Sequence, residues 1–182
     1  MEGLGRKLAA LCVCVAALAL PGAAEAPITR FEEPSFRLAL PGEWRALHSS
    51  DTGFWPYRRA DDRAQVSVAI AFARTPVPRE ELAGVFAQFN ESRREAVTAT
   101  ASDCSLGETR TQEHLEAVAG SYVAECGSEG RRMGDFLVAR RDLIASFLLD
   151  ARDMSEEEFR ILFTAVASGA SLAQPGAQEE AP

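Results

Sequence analysis

The fold is set by one short segment, LIASFLLD at residues 143–150. Bulky apolar side chains occupy both alternating sets of positions in this segment. An extended chain would therefore present them on both faces of a sheet. Such a strand is stable only when both of its faces are covered. The segment predicts an interior strand of a sheet that has other structure packed on each side.

An antiparallel meander precedes this strand, because alternating segments are separated by short turns. Its other strands are expected at 108–112, 118–126 and 132–140. A further period-two strand at 66–72 has Val, Ile and Phe on one face and only Ser and Ala on the other. Another element can approach that second face closely.

Two amphipathic helices are expected on either side of the meander in sequence. Apolar residues recur at helical spacing from about residue 79 to 97. The second helix begins at Ser155, because Ser155 and Glu158 form an S-x-x-E capping box, and it ends near Gly169. The small and polar residues 97–105 indicate a loop. Together the elements predict an α+β domain in which a mostly antiparallel sheet is flanked by helices, as an α/β/α sandwich.

The segment FRLALPGEW at residues 36–44, with the order of elements after it, resembles the Mog1/PsbP-like family. Family members open with an extended segment that ends in Pro, a turn and Trp, and they close on a helix like the one expected here at 155–169. The resemblance spans most of residues 31–171. It implies the α/β/α fold and accessory or binding work, since members include thylakoid-lumen accessory subunits of photosystem II, a nuclear GTPase-binding protein and exported bacterial proteins. The family shares no active site, so no functional residue is transferred.

The first 26 residues have the pattern of a cleavable signal peptide. A short positive region precedes an apolar run at 8–20, which is shorter than the roughly 20 residues of a membrane-spanning helix. Small residues follow, and cleavage is expected after Ala24 or after Ala26. The mature protein is then periplasmic or secreted, with no membrane span.

The remaining chain is expected to form a single domain at 27–171, followed by a disordered tail at 172–182 that is rich in Ala, Gln, Glu and Pro. The whole chain carries a formal net charge of −8. A negative surface repels phosphate backbones, so we expect no nucleic-acid partner.

Two cysteines remain after the expected cleavage, Cys104 and Cys126. Thiols oxidise outside the cytoplasm, which predicts a disulfide. The two residues are equidistant from Leu115, so a hairpin that turns at 114–116 places them directly opposite each other. Their Cα atoms are then about 4.5 to 5.5 Å apart, which a disulfide tolerates.

An aromatic cluster is the candidate recognition surface. Phe54, Trp55 and Tyr57 are interrupted by Pro56, which cannot donate to a sheet ladder and so indicates an edge or a bulge. Aromatic side chains near an edge can anchor a partner or a small ligand. Packing of the cluster in the core is the competing interpretation.

No catalytic, nucleotide-binding or metal motif occurs in the sequence. The sequence therefore favours a non-catalytic binding or accessory protein without a cofactor, whose partner is an unknown envelope protein or a small ligand. The alternative is an enzyme or metal-binding protein with a site assembled around the two histidines. Its candidate residues are His48, Asp51, Glu113, His114 and Glu116, with a solvated turn as the competing interpretation at Glu113 and His114.

Overall fold

The computed structural model describes residues 27–47, 53–127 and 130–173. The expected signal peptide lies outside these residues, as do His48, Asp51 and nearly all of the expected tail. In the described part of the chain, neither helix is both long and apolar enough to cross a membrane.

Eleven strands and two helices make up the described chain. In chain order they are β1 (Ile28–Glu33), β2 (Phe36–Pro41), β3 (Trp44–Ala46), β4 (Phe54–Arg59), β5 (Ala64–Phe72), α1 (Leu82–Thr100), β6 (Cys104–Leu106), β7 (Arg110–Glu113), β8 (Ala117–Cys126), β9 (Arg132–Arg140), β10 (Leu143–Ala151), α2 (Glu156–Gly169) and β11 (Ala170–Leu172). A short 3-10 turn at Arg79–Glu81 leads into α1.

The strands form two sheets with antiparallel ladders. The large sheet has eight strands in the order β3-β4-β5-β10-β9-β8-β6, and β7 pairs with β8 as well. The small sheet has the order β1-β2-β11. As predicted, β10 is an interior strand, and Ala145, Phe147 and Leu149 on one of its faces are fully buried.

Helices cover both faces of the large sheet. α1 packs on β8 and β9, where Leu82 and Phe86 contact Tyr122 and Leu137. α2 packs on the opposite face and shares it with the small sheet. The predicted α/β/α sandwich of helices and antiparallel sheet is therefore confirmed.

The extended segment predicted at the start of 36–44 is β2, the central strand of the small sheet, but its partners β1 and β11 were not predicted. β1 is half exposed along its length, so its alternation of apolar and polar residues is weak. Its inward-facing Phe31 packs against the ring of Tyr57, with ring centroids 4.1 Å apart. β11 follows α2 directly and contains three residues, too few for a periodic pattern. It places Leu172 in the folded domain, one residue beyond the predicted boundary.

The loop predicted at residues 97–105 is wrong at both of its ends. α1 continues to Thr100, because Val97 and Ala101 are buried against Ala124 and Met133. The strand β6 then begins at Cys104. Tertiary burial outweighs the weak local preference of these small and polar residues for helix or strand.

The disulfide between Cys104 and Cys126 is present, and the two Cα atoms are 3.9 Å apart. The residues face each other in the β6–β8 ladder, as the symmetric hairpin predicted. Closer to the turn the predicted register is wrong by one residue, because Arg110 pairs with Ser121 and not with Gly120. One extra residue between β6 and β7 causes the shift, as in a β-bulge.

α2 begins as the sequence predicted. The backbone N–H of Glu158 donates to Ser155 Oγ at 3.2 Å, and the N–H of Ser155 donates to the Glu158 carboxylate at 2.9 Å. This reciprocal pair is a complete capping box. Phe159, Leu162 and Val166 then form the buried face of the helix.

Candidate binding groove

The structure separates the three aromatic residues of the candidate recognition surface. Tyr57 is only 1% exposed and belongs to the core. Its hydroxyl donates to Glu33 at 3.2 Å, and burial raises the pKa of the phenol. Trp55 is half buried, with its ring packed edge-on against Phe36. Phe54 is 42% exposed, and partner binding there stays a prediction.

The cluster lies close to a sheet edge, though not on an edge strand. β4 is flanked by β5 and by the three-residue strand β3. The β3–β4 ladder ends at Tyr57, so Pro56 lies just beyond it. Proline is tolerated at this position because no ladder hydrogen bond is required from it.

The described residues around the second histidine form a solvated turn. Glu113, His114 and Glu116 are all exposed where β7 turns into β8, and the N–H of His114 donates to the carbonyl of Ala117 at 2.8 Å. Within 27–47, 53–127 and 130–173, no three His, Cys, Asp or Glu residues are grouped so that they could hold a metal ion. The other proposed ligands, His48 and Asp51, lie outside the described residues.

A buried carboxylate, which the sequence interpretation missed, lies between the large sheet and α1. Asp135 is 0% exposed, accepts a hydrogen bond from Ser146 at 2.7 Å and one from Tyr122 at 3.4 Å, and pairs with Arg93 at 3.3 Å. Burial raises its pKa, and the positive charge of Arg93 and the two hydroxyl donors partly oppose that rise. These four residues are called the Asp135 network.

The Asp135 network ties three strands to α1, and its geometry indicates a structural role. Every buried side-chain polar atom of the described residues has a hydrogen-bond partner. A satisfied network fixes the packing of a core without leaving a group free for chemistry. One signal in the sequence could have revealed it, since Asp135 interrupts the apolar side of β9 formed by Met133, Leu137 and Ala139.

A groove of about 640 Å³ lies on the other face of the large sheet, between α2 and the edge of the sheet. We call it the edge groove. Its lining residues are Gly107, Glu108, Arg110, Ser121, Tyr122, Val123, Glu125, Arg132, Glu156, Phe159, Arg160, Phe163 and Thr164. It exists because α2 covers the centre of this face and leaves β8 open.

One side of the groove is the stripe of α2 residues at helical spacing, from Glu156 through Phe159 and Phe163. The rings of Phe159 and Phe163 are stacked, with centroids 5.9 Å apart. Phe163 lies so close to the backbone of Gly134 that a Cβ there would be 2.7 Å from the ring. The apolar part of the groove is therefore firmly packed.

The opposite rim, residues 107–110, is held in place by α1 from the far side of the sheet. Arg94 donates to the carbonyl of Gly107 at 2.8 Å and to Thr109 at 3.3 Å, and the Thr109 hydroxyl donates to Asn90 at 3.2 Å. The guanidinium of Arg94 also lies over the ring of Tyr122, 5.1 Å from its centroid. Both walls of the edge groove are thus preorganised before anything binds.

Solved structures of three proteins resemble this architecture. Cyanobacterial PsbP (CyanoP) from Synechocystis sp. PCC 6803 aligns with a TM-score of 0.57 and 16% identity, over 85% of this chain and 98% of that one. The chain has the Mog1/PsbP-like fold. The Ran-binding protein Mog1p of Saccharomyces cerevisiae has a TM-score of 0.48 and 10% identity, over 81% and 96% of the two chains. LpqN of Mycobacterium tuberculosis, described as involved in cell envelope biogenesis, has a TM-score of 0.47 and 14% identity, over 81% and 91%.

No family model matches the sequence, and no curated protein matches it. The expected Mog1/PsbP-like architecture is confirmed, and at these identities the likeness concerns the fold alone. Functional residues of this chain must therefore be argued from its own geometry. On that basis the edge groove is the strongest candidate site, because it combines a concave shape, an apolar wall and a charged rim.

Proposed function

We propose that this chain is an exported, non-catalytic binding or accessory protein that holds its ligand in the edge groove. The groove itself is the observation that carries the proposal. It pairs packed aromatic rings with charged side chains of both signs, and its two walls are fixed by separate helices. Preorganisation of this kind favours binding, because little conformational entropy is lost when a ligand enters.

Two features support export. The first 26 residues have the pattern of a signal peptide, and the disulfide is of a kind that persists in oxidising compartments. We expect the mature chain to begin at Glu25 or Pro27. N-terminal sequencing of protein recovered outside the cytoplasm checks this, and recovery of Met1 there would show that the leader is retained.

Site-specific photocrosslinking tests the proposed function. A photoreactive phenylalanine analogue at Thr164, on the exposed rim of the groove, should form adducts when the protein is irradiated in envelope extract of its source organism. Ala87 is the matched control, because it is an exposed helical position on α1 and does not line the groove. Equal adduct formation at the two positions, or none at Thr164, would contradict a binding role for the groove.

A further inference from the structure

We propose that the edge groove binds a short extended peptide that has a positive charge at one end, apolar side chains in the middle and a carboxylate at the other end. This inference rests on the proposed function and names the ligand class. It is carried by the length of the groove, its firm apolar middle and the opposite charges at its two ends.

The length of the groove follows from the elements that line it. Along β8 the lining runs from Ser121 to Glu125, which spans about 13 Å at the rise of a strand. Along α2 it runs from Glu156 to Thr164, which spans about 12 Å at the rise of a helix. The two walls agree in length, and an extended peptide of roughly four residues fits it.

The first end of the groove is acidic. Glu125 faces Arg132 across the β8–β9 ladder, and Arg132 donates to the carbonyl of Met154, just before α2 begins. The start of α2, with Glu156, therefore lies at the same end of the groove as Glu125. Two carboxylates and one arginine meet here, which favours a positively charged group of the ligand.

The second end is basic. Arg110 pairs with Ser121, which is the far end of the groove on β8. Its guanidinium forms no ion pair with any residue that the structure describes, whereas Arg160 is already paired with Glu157 at 2.6 Å. Glu108 lies between the two ends, in the bulge that separates β6 from β7. Arg110 is therefore the cation that a ligand carboxylate would meet.

The middle of the groove has an apolar residue on each wall, with Glu108 on its rim. Val123 is paired with Gly134, and Phe163 lies against Gly134, so Val123 and Phe163 are level with each other between the two charged ends. An apolar middle with opposite charges about 12 Å apart matches a peptide with a basic residue and an acidic residue separated by two apolar residues.

Three capped peptides test the inference against the mature protein by NMR titration. They are acetyl-Lys-Leu-Leu-Glu-amide, the doubly basic acetyl-Lys-Leu-Leu-Lys-amide and the doubly acidic acetyl-Glu-Leu-Leu-Glu-amide. The mixed peptide should bind about fivefold more tightly than either of the others, the size expected for an exposed ion pair. Signals of Val123 and Phe163 should shift, while those of Phe54 on the opposite face should not.

Arg110→Glu should reverse this preference in favour of the doubly basic peptide, and Arg110→Gln should make the mixed and doubly basic peptides bind equally. Arg30→Glu makes the same charge change at an exposed residue of β1 and should leave the preference unchanged. Thermal melts show whether each variant folds. Equal binding of the three peptides, no binding, or an unchanged preference in Arg110→Glu would overturn the peptide assignment.

The two proposals fail in different ways. If no peptide binds while Thr164 still forms adducts that Ala87 does not, the ligand has another chemistry and the groove remains a binding site. If neither experiment detects binding at the groove, the proposed function fails as well.

Discussion

Replacing Arg93 with methionine removes the cation that lies 3.3 Å from the buried carboxylate of Asp135. Methionine keeps most of the aliphatic stem, so the change in packing is small. Asp135 is 0% exposed and cannot regain water, whereas the side chain of Arg93 is 23% exposed. Loss of one partner of a buried pair typically costs about 3 to 5 kcal/mol, because the other charge is left uncompensated.

The loss has an upper limit, because Asp135 can bind a proton. Protonating a carboxyl group costs about 1.4 kcal/mol for each pH unit above its unfolded pKa of roughly 3.9, or about 4 kcal/mol at pH 7. Burial already raises the pKa of Asp135 in the wild-type protein, and losing Arg93 should raise it further. The folded state then holds the proton more tightly than the unfolded state. Stability is therefore greatest at acidic pH and falls as pH rises through the folded pKa.

Urea melts of the disulfide-bonded protein at pH 5, 6, 7 and 8 measure this effect. The free energy of unfolding of Arg93→Met should fall below the wild-type value by an amount that grows with pH and stays under about 4 kcal/mol at pH 7. Asp61 and Glu158, whose pKa values are lowered by their hydrogen bonds, contribute equally to both proteins and cancel.

The matched control is Arg93→Met combined with Asp135→Asn. Asparagine has a shape similar to that of aspartate and does not titrate. In the double variant, the loss in free energy of unfolding relative to wild type should therefore not increase with pH. A loss in Arg93→Met that is the same at pH 5 and pH 8 would refute the reasoning. It would show that Arg93 stabilises the fold by packing alone.

The remaining predictions concern the last helix and the disulfide. Ser155→Ala should lower the free energy of unfolding by about 1 kcal/mol through loss of the N-cap, and Phe159→Ala by about 3 to 5 kcal/mol because it leaves a cavity beneath α2. Denaturant melts compare them, and equally small losses would mean that α2 is not docked on the core. Reducing the Cys104–Cys126 bond should cost about 3 kcal/mol on the chain-entropy model and lower the melting temperature without unfolding the sheet at 25 °C. Two free thiols in mass spectrometry of unreduced exported protein would contradict the bond.

Local sequence patterns correctly predicted the elements whose structure depends mainly on residues close together in the chain. The apolar residues on both faces of 143–150 predicted an interior strand, and β10 is one. The S-x-x-E pattern predicted the start of α2 at Ser155, and the capping box is there. The pairing of Cys104 and Cys126 was predicted and is present, although a one-residue bulge between β6 and β7 brings the two residues opposite each other.

The candidate site could not be predicted from the sequence, because its residues are far apart along the chain and come together only in the folded structure. Arg94 holds the rim at Gly107 from the opposite side of the sheet, and no periodicity of α1 indicates that contact. The edge groove is the space beside α2, which packs on β9 and β10 and leaves β8 uncovered, and no sequence pattern marks such a space. The bulge that shifts Arg110 to Ser121 likewise depends on a ladder that forms only in the folded chain.

Spacing along the chain is enough to specify which faces of strands and helices are apolar, where α2 is capped and which two cysteines are available to pair. Tertiary packing pairs Asp135 with Arg93, 42 residues away in the chain, and it buries Tyr57 while Phe54 stays exposed. The physical reason is that burial and electrostatic pairing depend on neighbours in space. The packing of the sheets and helices determines those neighbours, and a local sequence pattern does not specify them.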